Sequence, residues 1–327
     1  MGPLLVADIG GTNARFGLMY KPKDGNSYQM AAPRTLRCDS FESLAEMVLA
    51  YCNRVEITAP RYACFAVAGP VKDDAVQMTN RDWYCCGNQL RATLEMSVVK
   101  IINDYAALAY ATSHFDPEDA VTLFEAPPDP SGVIAVMGPG TGFGVAALMP
   151  GKHTSHQVIA SEGGHVAFAP TTDIEIELLK YFRRTRSHVS VEDILSGPGL
   201  IEIYRALAHI SDMPAKFQQV DKISANGLSG EDKLCEETLT IFCNLLGSVA
   251  GDKALDFCSR GGVYIGGGIA PRFDGFLQRS DFLARFQNKG AMSDFVSQIP
   301  IHLVKTDNAA LIGCAAWLEN FIPQQKL

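Results

Sequence analysis

One local pattern occurs twice in this chain: an apolar strand, a glycine turn, and a second apolar strand. Val6–Gly17 reads VADIGGTNARFG, and Gly132–Met149, about 130 residues further on, reads GVIAVMGPGTGFGVAALM. Apolar runs of strand length around glycine-rich turns predict two β-hairpins whose tips are made of backbone. Recurrence at that distance is duplication of one supersecondary unit, not an array of short repeats. A Walker P-loop is excluded at the first turn, because it carries neither Lys-Ser nor Lys-Thr and does not open a helix. Two such tips facing each other across a cleft would form one site.

The segments around the hairpins place them in an α/β chain. SFESLAEMVLAYCNRV has the spacing of an amphipathic helix, and YACFAVAGPV reads as a strand. In SVVKIINDYAALAYATS a buried-type strand, Val98–Ile102, runs into a helix from about Asp104. That β-β-α-β-α order predicts a mixed sheet flanked by helices. Proline-rich FEAPPDPSG, Phe124–Gly132, reads as a connector near a domain boundary. After the second hairpin come ASEGGHVAFAP, a helical IEIELLKYFRRT, the turn LSGPGL and a polar stretch with short helical pieces. A long helix from about Asp232 to Cys258, the strand and turn of GGVYIGGGIAPRF and a final apolar helix follow, with Asp307 as the expected N-cap of the last.

Composition narrows the function classes. With 327 residues, 47% of them hydrophobic and 20% charged, the chain has the make-up of a packed globule of about two domains. A formal net charge of -8 argues against a surface for DNA, RNA or anionic lipid, and leaves room for a small anion held by local geometry. No apolar run reaches about 18 residues and no export signal precedes the first strand, so neither export nor membrane spanning is expected. Nine cysteines, an odd number with no C-x-x-C, are expected as reduced, buried small side chains of a cytoplasmic protein.

Glycines at Gly10, Gly11, Gly138, Gly140 and Gly142 allow positive φ and close backbone approach, so that successive N–H groups can converge on an anion; Thr12 and Thr141 add hydroxyls. The competing role is a plain hairpin turn. Asp8 beside phosphate oxygens is repulsive unless a cation intervenes, and Mg²⁺ suits that place; otherwise Asp8 caps the turn. Glu162 lies 22 residues beyond Gly140, which invites a dinucleotide reading, but GPGTGFG has the wrong spacing and leads into a strand. Asn103 and Asp104 stand where a strand ends and a helix begins: Asp104 can take a proton from a substrate hydroxyl, and the pair can equally cap the helix. Glu162 and His165 on one Gly-Gly turn can hydrogen-bond neighbouring hydroxyls of a polyol, or serve the turn alone. Ser190 and Asp193 have capping-box spacing, which makes Glu192 a ligand contact only if that helix start faces the site. Gly266, Gly267 and Gly268 after a strand suit close approach to a nucleoside, or a tight strand-to-helix connection.

Taken in order, D-x-G-G-T-N-x-R-F, A-G-P, N-D-Y-x-A, G-P-G-T-G-F-G, S-E-G-G-H, L-S-G-P-G-L and G-G-G-I-x-P-R resemble the bacterial ATP-dependent glucokinases of the sugar kinase, actin-like superfamily. The resemblance spans essentially the whole chain. It implies a two-domain ribonuclease-H-like (actin-like ATPase) fold, mixed β-sheets flanked by helices with an interdomain cleft. The implied small domain is 1–115 plus 309–327 and the large one 116–308. Further implied are transfer of the ATP γ-phosphoryl group to the 6-hydroxyl of glucose as the first step of glycolysis, Mg²⁺, and a homodimer. ATP phosphates would meet Gly10, Gly11, Thr12, Asn13 and Gly138, Gly140, Thr141, Gly142, with Asp8 near magnesium through water and Gly266–Gly268 by the adenosine. Glucose would be held by Asn103, Asp104, Glu162, His165 and Glu192, with Asp104 the base. Domain closure would exclude water. The zinc cluster that many related kinases and repressors carry after the EGGH histidine is missing, so no structural zinc is expected. The Asp8 strand begins within a few residues of Met1, so no DNA-binding helix-turn-helix is expected before it. A non-catalytic sugar sensor on the same fold, or a kinase for mannose, fructose or an amino sugar, are the alternatives. Asn80 and Trp83 are expected to shape the sugar pocket.

Overall fold

The computed structural model describes residues 2–21, 27–78, 82–151 and 155–322. Two compact units emerge: Met1–Ala120 with Leu148–Ala160 and Thr306–Leu327, and Val121–Ala147 with Ser161–Lys305. They depart from the expected division chiefly at Leu148–Ala160, which counts with the first unit, where Asn320 Nδ2 donates to the His156 carbonyl at 3.0 Å.

The first unit begins with β1 (Leu4–Ile9), β2 (Asn13–Tyr20) and β3 (Gln29–Arg37), followed by α1 (Leu44–Arg54) and β4 (Tyr62–Val67). A small hairpin of β5 (Ala75–Gln77) and β6 (Tyr84–Cys86) leads to α2 (Gly87–Thr93), β7 (Val98–Asn103) and α3 (Asp104–Ala111). Its main sheet has the order β3-β2-β1-β4-β7. β1 is antiparallel to β2 and parallel to β4, and β4 is parallel to β7. Side chains alternate across a strand, so Leu5, Ala7 and Ile9 face α1 and α2 while Leu4 and Val6 face the opposite layer. Both faces are covered, which is why β1 reads as a continuous apolar run.

The second unit holds β8 (Ala120–Phe124), β9 (Ile134–Pro139), β10 (Phe143–Met149), β11 (Gln157–Ser161), α4 (Asp173–Phe182), α5 (Gly197–Ile210), α6 (Val220–Ser229) and α7 (Lys233–Asp256). β12 (Gly262–Ile265), α8 (Asp274–Arg279), α9 (Phe282–Gln287), α10 (Ser293–Val296) and β13 (Ile301–Val304) complete it. The sheet order is β11-β10-β9-β12-β13-β8. In chain order both main sheets therefore run third, second, first, fourth, fifth, with β8 added at one edge of the second. This is the duplication expected from the two hairpins. The expected polar stretch contains a regular helix, α6, ending at Gly230 with φ +73°.

The chain then returns to the first unit as α11 (Ala309–Phe321). Its Leu311, Cys314, Ala315 and Leu318 cover the Leu4 and Val6 face together with Ala107 of α3. α3 and α11 share the string Asp-x-Ala-Ala-Leu, at Asp104–Leu108 and Asp307–Leu311. They cross closely, since a Cβ on Gly313 would stand 1.7 Å from the Ala107 carbonyl oxygen. Seven cysteines are buried, Cys86 is intermediate, and Cys258 is exposed, because φ +46° there turns the chain out after α7. Trp83 is buried in the core beneath the sheet, so it shapes packing and not a pocket; Asn80 lies outside the described residues.

Candidate active site

In the first unit the register of three parallel strands sets the site. Asp8 pairs across to Ala66, Ile9 to Val67, and Val67 to Asn103, so Asp8, the Gly69 turn and Asn103–Asp104 share one carboxyl edge of the sheet. That edge is where α/β sheets bind ligands. Two strand spacings put Asp8 and Asn103 about 10 Å apart. Asp8 has the parity of Leu4 and Val6 and points toward the α3 and α11 layer. Burial pushes its carboxyl above the ordinary range, and the Arg15 charge partly offsets this. The tip Gly10–Thr12 is held by Gly10 N donating to Asn13 O (3.0 Å) and Cys38 N donating to Thr12 O (2.9 Å), with Thr12 and Asn13 exposed. A cavity of about 310 Å³ lies beside it, lined by Asp8, Gly10, Asn13, Arg15, Thr35 and Asp307.

Of the two roles the sequence left open, Asn103 takes the capping one. Asn103 Oδ1 caps α3 by accepting from Tyr105 N (2.9 Å) and Ala106 N (3.1 Å). Its amide Nδ2 donates to Gly69 O (3.2 Å) and to Asp104 Oδ1 (2.9 Å). Tyr105 N donates to the same Oδ1 at 3.0 Å, so the Asp104 carboxylate is aimed by two donors. The A-G-P segment thus has a stated use: Gly69, at φ +122°, presents its carbonyl to Asn103 in a conformation that a side chain would strain. Asp74 was not anticipated. Its Oδ1 accepts from Ile101 N at 2.8 Å and lies 3.4 Å from Lys100 Nζ, fastening the segment after A-G-P to the strand that carries the pair. Two consecutive positive φ values, at Asp73 and Asp74, form the tight turn behind it, and only their spacing after A-G-P could have signalled this.

In the second unit three other segments converge on the turn Pro139–Gly142 and the strand it opens. Gly140 N donates to Gly142 O (2.8 Å), Gly197 N at the start of α5 to Gly140 O (2.9 Å), and Ile269 N beyond the triple glycine to Pro139 O (3.3 Å). Phe143 N donates to Glu192 Oε2 at 2.7 Å. β12 is parallel to β9 with Ile265 opposite Met137, so the Gly266–Gly268 turn and the Gly138–Gly142 turn leave adjacent strands at the same end. The glycines serve this packing more than positive φ. Among Gly10, Gly11, Gly138, Gly140 and Gly142 only Gly138 has φ in that range, at +158°, and its missing side chain makes room for the Gly266 carbonyl. Gly267 has φ +85°.

Glu162, His165 and Glu192 come together in the same unit. His165 Nε2 lies 3.9 Å from Glu162 Oε2 and 4.0 Å from Glu192 Oε1. Glu192 N donates to Gly164 O (2.9 Å), and His188 Nε2 contacts the His165 carbonyl at 3.0 Å. Ser190 and Asp193 make the expected reciprocal bonds, 2.8 Å and 3.1 Å, but they cap a turn; α5 starts later, with Ser196 as N-cap accepting from Gly199 N. Asp307 is not the cap of α11. Arg15 Nη1 takes its carbonyl at 2.7 Å, and Asn308 occupies the cap without a side-chain bond. Among the described residues no three His, Cys, Asp or Glu side chains are grouped to hold a metal. Mg²⁺ held through one carboxylate, waters and phosphate oxygens needs no such group, and Asp8 beside a backbone tip fits it.

Residues 5–321 match the family model described as Glucokinase. The chain is 40% identical over 319 residues to a glucokinase of Saccharophagus degradans, covering 98% of this chain and 99% of that protein. The crystal structure of a glucokinase from an Antarctic psychrotroph superposes with TM-score 0.88 at 41% identity, over 98% of this chain and 99% of that one. A ROK family glucokinase from Streptomyces griseus, solved with glucose and AMPPNP, superposes with TM-score 0.64 at 18% identity over 97% and 99% of the two chains, a likeness of fold.

Proposed function

Because the chain belongs to the glucokinase family, ATP-dependent hexose kinases of the actin-like ATPase fold, we propose that Asp104 is the base for transfer of the ATP γ-phosphoryl group to the 6-hydroxyl of glucose. The observation that carries this is the aimed Asp104 carboxylate on the edge it shares with Asp8. As the 6-oxygen forms its bond to the γ-phosphorus and the bond to the bridging β-oxygen breaks, the hydroxyl proton passes to Asp104. Asn103 keeps that carboxylate turned to the hydroxyl, and Asn103, Asp104, Glu162, His165 and Glu192 hold the sugar. Phosphates are cradled by Gly10, Gly11, Thr12, Asn13, Gly138, Gly140, Thr141 and Gly142, with Gly266–Gly268 against the nucleoside. Asp8 would hold Mg²⁺ through water, and the ion supplies positive charge to the transferring phosphoryl group. By the same family reading the protein acts in the cytoplasm as a homodimer; sedimentation of the purified protein checks the latter.

The test is Asp104→Asn, whose amide keeps the shape and accepts no proton. We expect kcat to fall by about 10²- to 10⁴-fold with glucose affinity, read by equilibrium titration, changed only a few-fold. A variant retaining most of its turnover refutes the base. Turnover of mannose, fructose or N-acetylglucosamine equal to that of glucose refutes the sugar assignment.

A further inference from the structure

Glu192 touches two turns with one carboxylate. Oε2 accepts from Phe143 N, at the end of the phosphate turn, at 2.7 Å, while Oε1 lies 4.0 Å from His165 Nε2 in the sugar group. Gly142 makes this possible. A Cβ there would stand 2.3 Å from Glu192 Oε2 and 2.9 Å from its carboxyl carbon, so any side chain at 142 displaces the carboxylate. Gly164, in the sugar motif, packs in return against the Phe143 carbonyl, 2.1 Å from where its Cβ would be. Gly140, in the same turn, has open space around its Cβ position. The Gly-Thr-Gly turn therefore has two faces.

We propose that Gly142 is a positioning residue for the sugar: through Glu192 it sets glucose affinity from inside the phosphate motif, and the single carboxylate makes the two turns order together. This rests on the reading of Glu192 as a sugar contact. The physical reason is that a methyl on Gly142 takes the space of the same Oε2 that accepts from Phe143 N, so the carboxylate must turn from its present place. A carboxylate pushed off that donor loses a charge-assisted hydrogen bond and its direction toward the sugar hydroxyls. A methyl on Gly140 instead projects into the open space on the exposed side of the turn, where phosphate oxygens are expected.

The experiment measures KM for glucose and for ATP in Gly142→Ala, Gly140→Ala, Glu192→Ala and the Gly142→Ala/Glu192→Ala double variant. Gly142→Ala is expected to raise KM for glucose by about 10- to 100-fold, the scale of losing one charged hydrogen bond, and KM for ATP by a smaller factor, because the same carboxylate holds the phosphate turn through Phe143 N. Gly140→Ala is expected to move KM for ATP and leave KM for glucose. In the Glu192→Ala background Gly142→Ala is expected to add little, because its target is gone. Gly142→Ala that raises KM for ATP alone, or that multiplies with Glu192→Ala, overturns the inference. Glu192→Ala with unchanged KM for glucose refutes the sugar role of Glu192 itself, which separates the two failures. Should Gly142→Ala not fold, Glu192→Asp reads the link from the other end: the shorter acid cannot span to Phe143 N, and both KM values are expected to rise together. A rise for glucose alone then overturns the link.

Discussion

A methyl group added at Gly313, a residue the proposed chemistry never touches, is expected to cripple turnover. Gly313 lies on α11 against α3, and its Cβ would meet Ala107 O at 1.7 Å, Ala107 C at 2.4 Å and Ala107 Cα at 3.0 Å. All three are backbone atoms, so no side chain can swing aside. Real Cβ contacts essentially never fall below 3.0 Å, so the helices must part by at least about 1.3 Å at this point. Ala107 is three residues after Asp104 and stacks on the first turn of α3, so the shift is delivered to the proposed base, Asp104. A displacement near 1 Å in a reacting group costs about 10²-fold in rate, and we expect kcat of Gly313→Ala to fall by that order. Stability carries two opposing effects: alanine in a helix gains about 0.5–1 kcal/mol over glycine, while overpacking costs about 1–3 kcal/mol. The second wins, because the backbone of a packed helix is what must move. Gly275→Ala is the control, since nothing lies within 4 Å of its Cβ position in α8 and only the gain remains. Glucose 6-phosphate formation gives kcat, and thermal unfolding gives stability. A Gly313→Ala protein with wild-type kcat and a raised Tm would refute the argument.

Two further outcomes follow from the shifted carboxyls. Asp8 is held above its ordinary pKa by burial, against the Arg15 charge. A raised folded pKa means that the charged form penalises the fold above that pKa, and the penalty is absent below the unfolded value. Asp8→Asn is therefore expected to raise Tm of the nucleotide-free protein at neutral pH and not in acid, while abolishing magnesium-dependent turnover; a lowered Tm at pH 7 contradicts this. Glu319 is pushed up by burial, but hydrogen bonds from Lys21 and Tyr28 and the charges of Lys21 and His114 outweigh it and hold the carboxyl low. Its contribution is present above the unfolded value, about 4.3, and is lost as pH falls through the folded one. Since Lys21 and Glu319 are about a third exposed, screening limits the pair to at most ~1 kcal/mol. Glu319→Gln is expected to lower Tm by about 2–4 °C at pH 6 and by less as pH falls through the folded pKa; a difference that does not shrink in acid refutes the electrostatic origin.

What the sequence made legible is local. Both hairpins, the strand from Val98 and the helix after Asn103 come from apolar period, glycine turns and caps that act within a few residues. The matching order of the two sheets was visible as the repeated hairpin. The illegible parts are pairs far apart in the chain. Nothing in LSGPGL or GPGTGFG says that Glu192 accepts from Phe143 N, 49 positions away. Asp307 looked like a cap because aspartate favours that place, but Arg15, 292 residues earlier, takes its carbonyl and the helix starts one residue later. Trp83 looked like a pocket wall from its neighbours in sequence and is instead core, because β5 and β6 turn it inward.

The motif glycines also change meaning once their neighbours are known. Read as a phosphate cradle, Gly138 and Gly142 owe their small size to a ligand. In the fold these two, and Gly164 of the SEGGH turn, owe it to another motif: Gly138 to the Gly266 backbone, Gly142 to the Glu192 carboxylate, Gly164 to the Phe143 carbonyl. Each of these contacts leaves less than 2.5 Å for a Cβ, so alanine at any of the three first disturbs the fit between motif segments. Gly140 and Gly268 have open space at the Cβ position, so substitution there is felt by whatever binds in that space. Loss of ATP affinity at Gly138 or Gly142 is therefore no evidence of direct contact with the nucleotide, whereas loss at Gly140 or Gly268 is. The proposed cradle needs this rigidity because a chain of net charge -8 with no lysine in either tip would have to hold an anion with fixed backbone dipoles. Such dipoles attract it strongly only if they need not reorganise when it arrives.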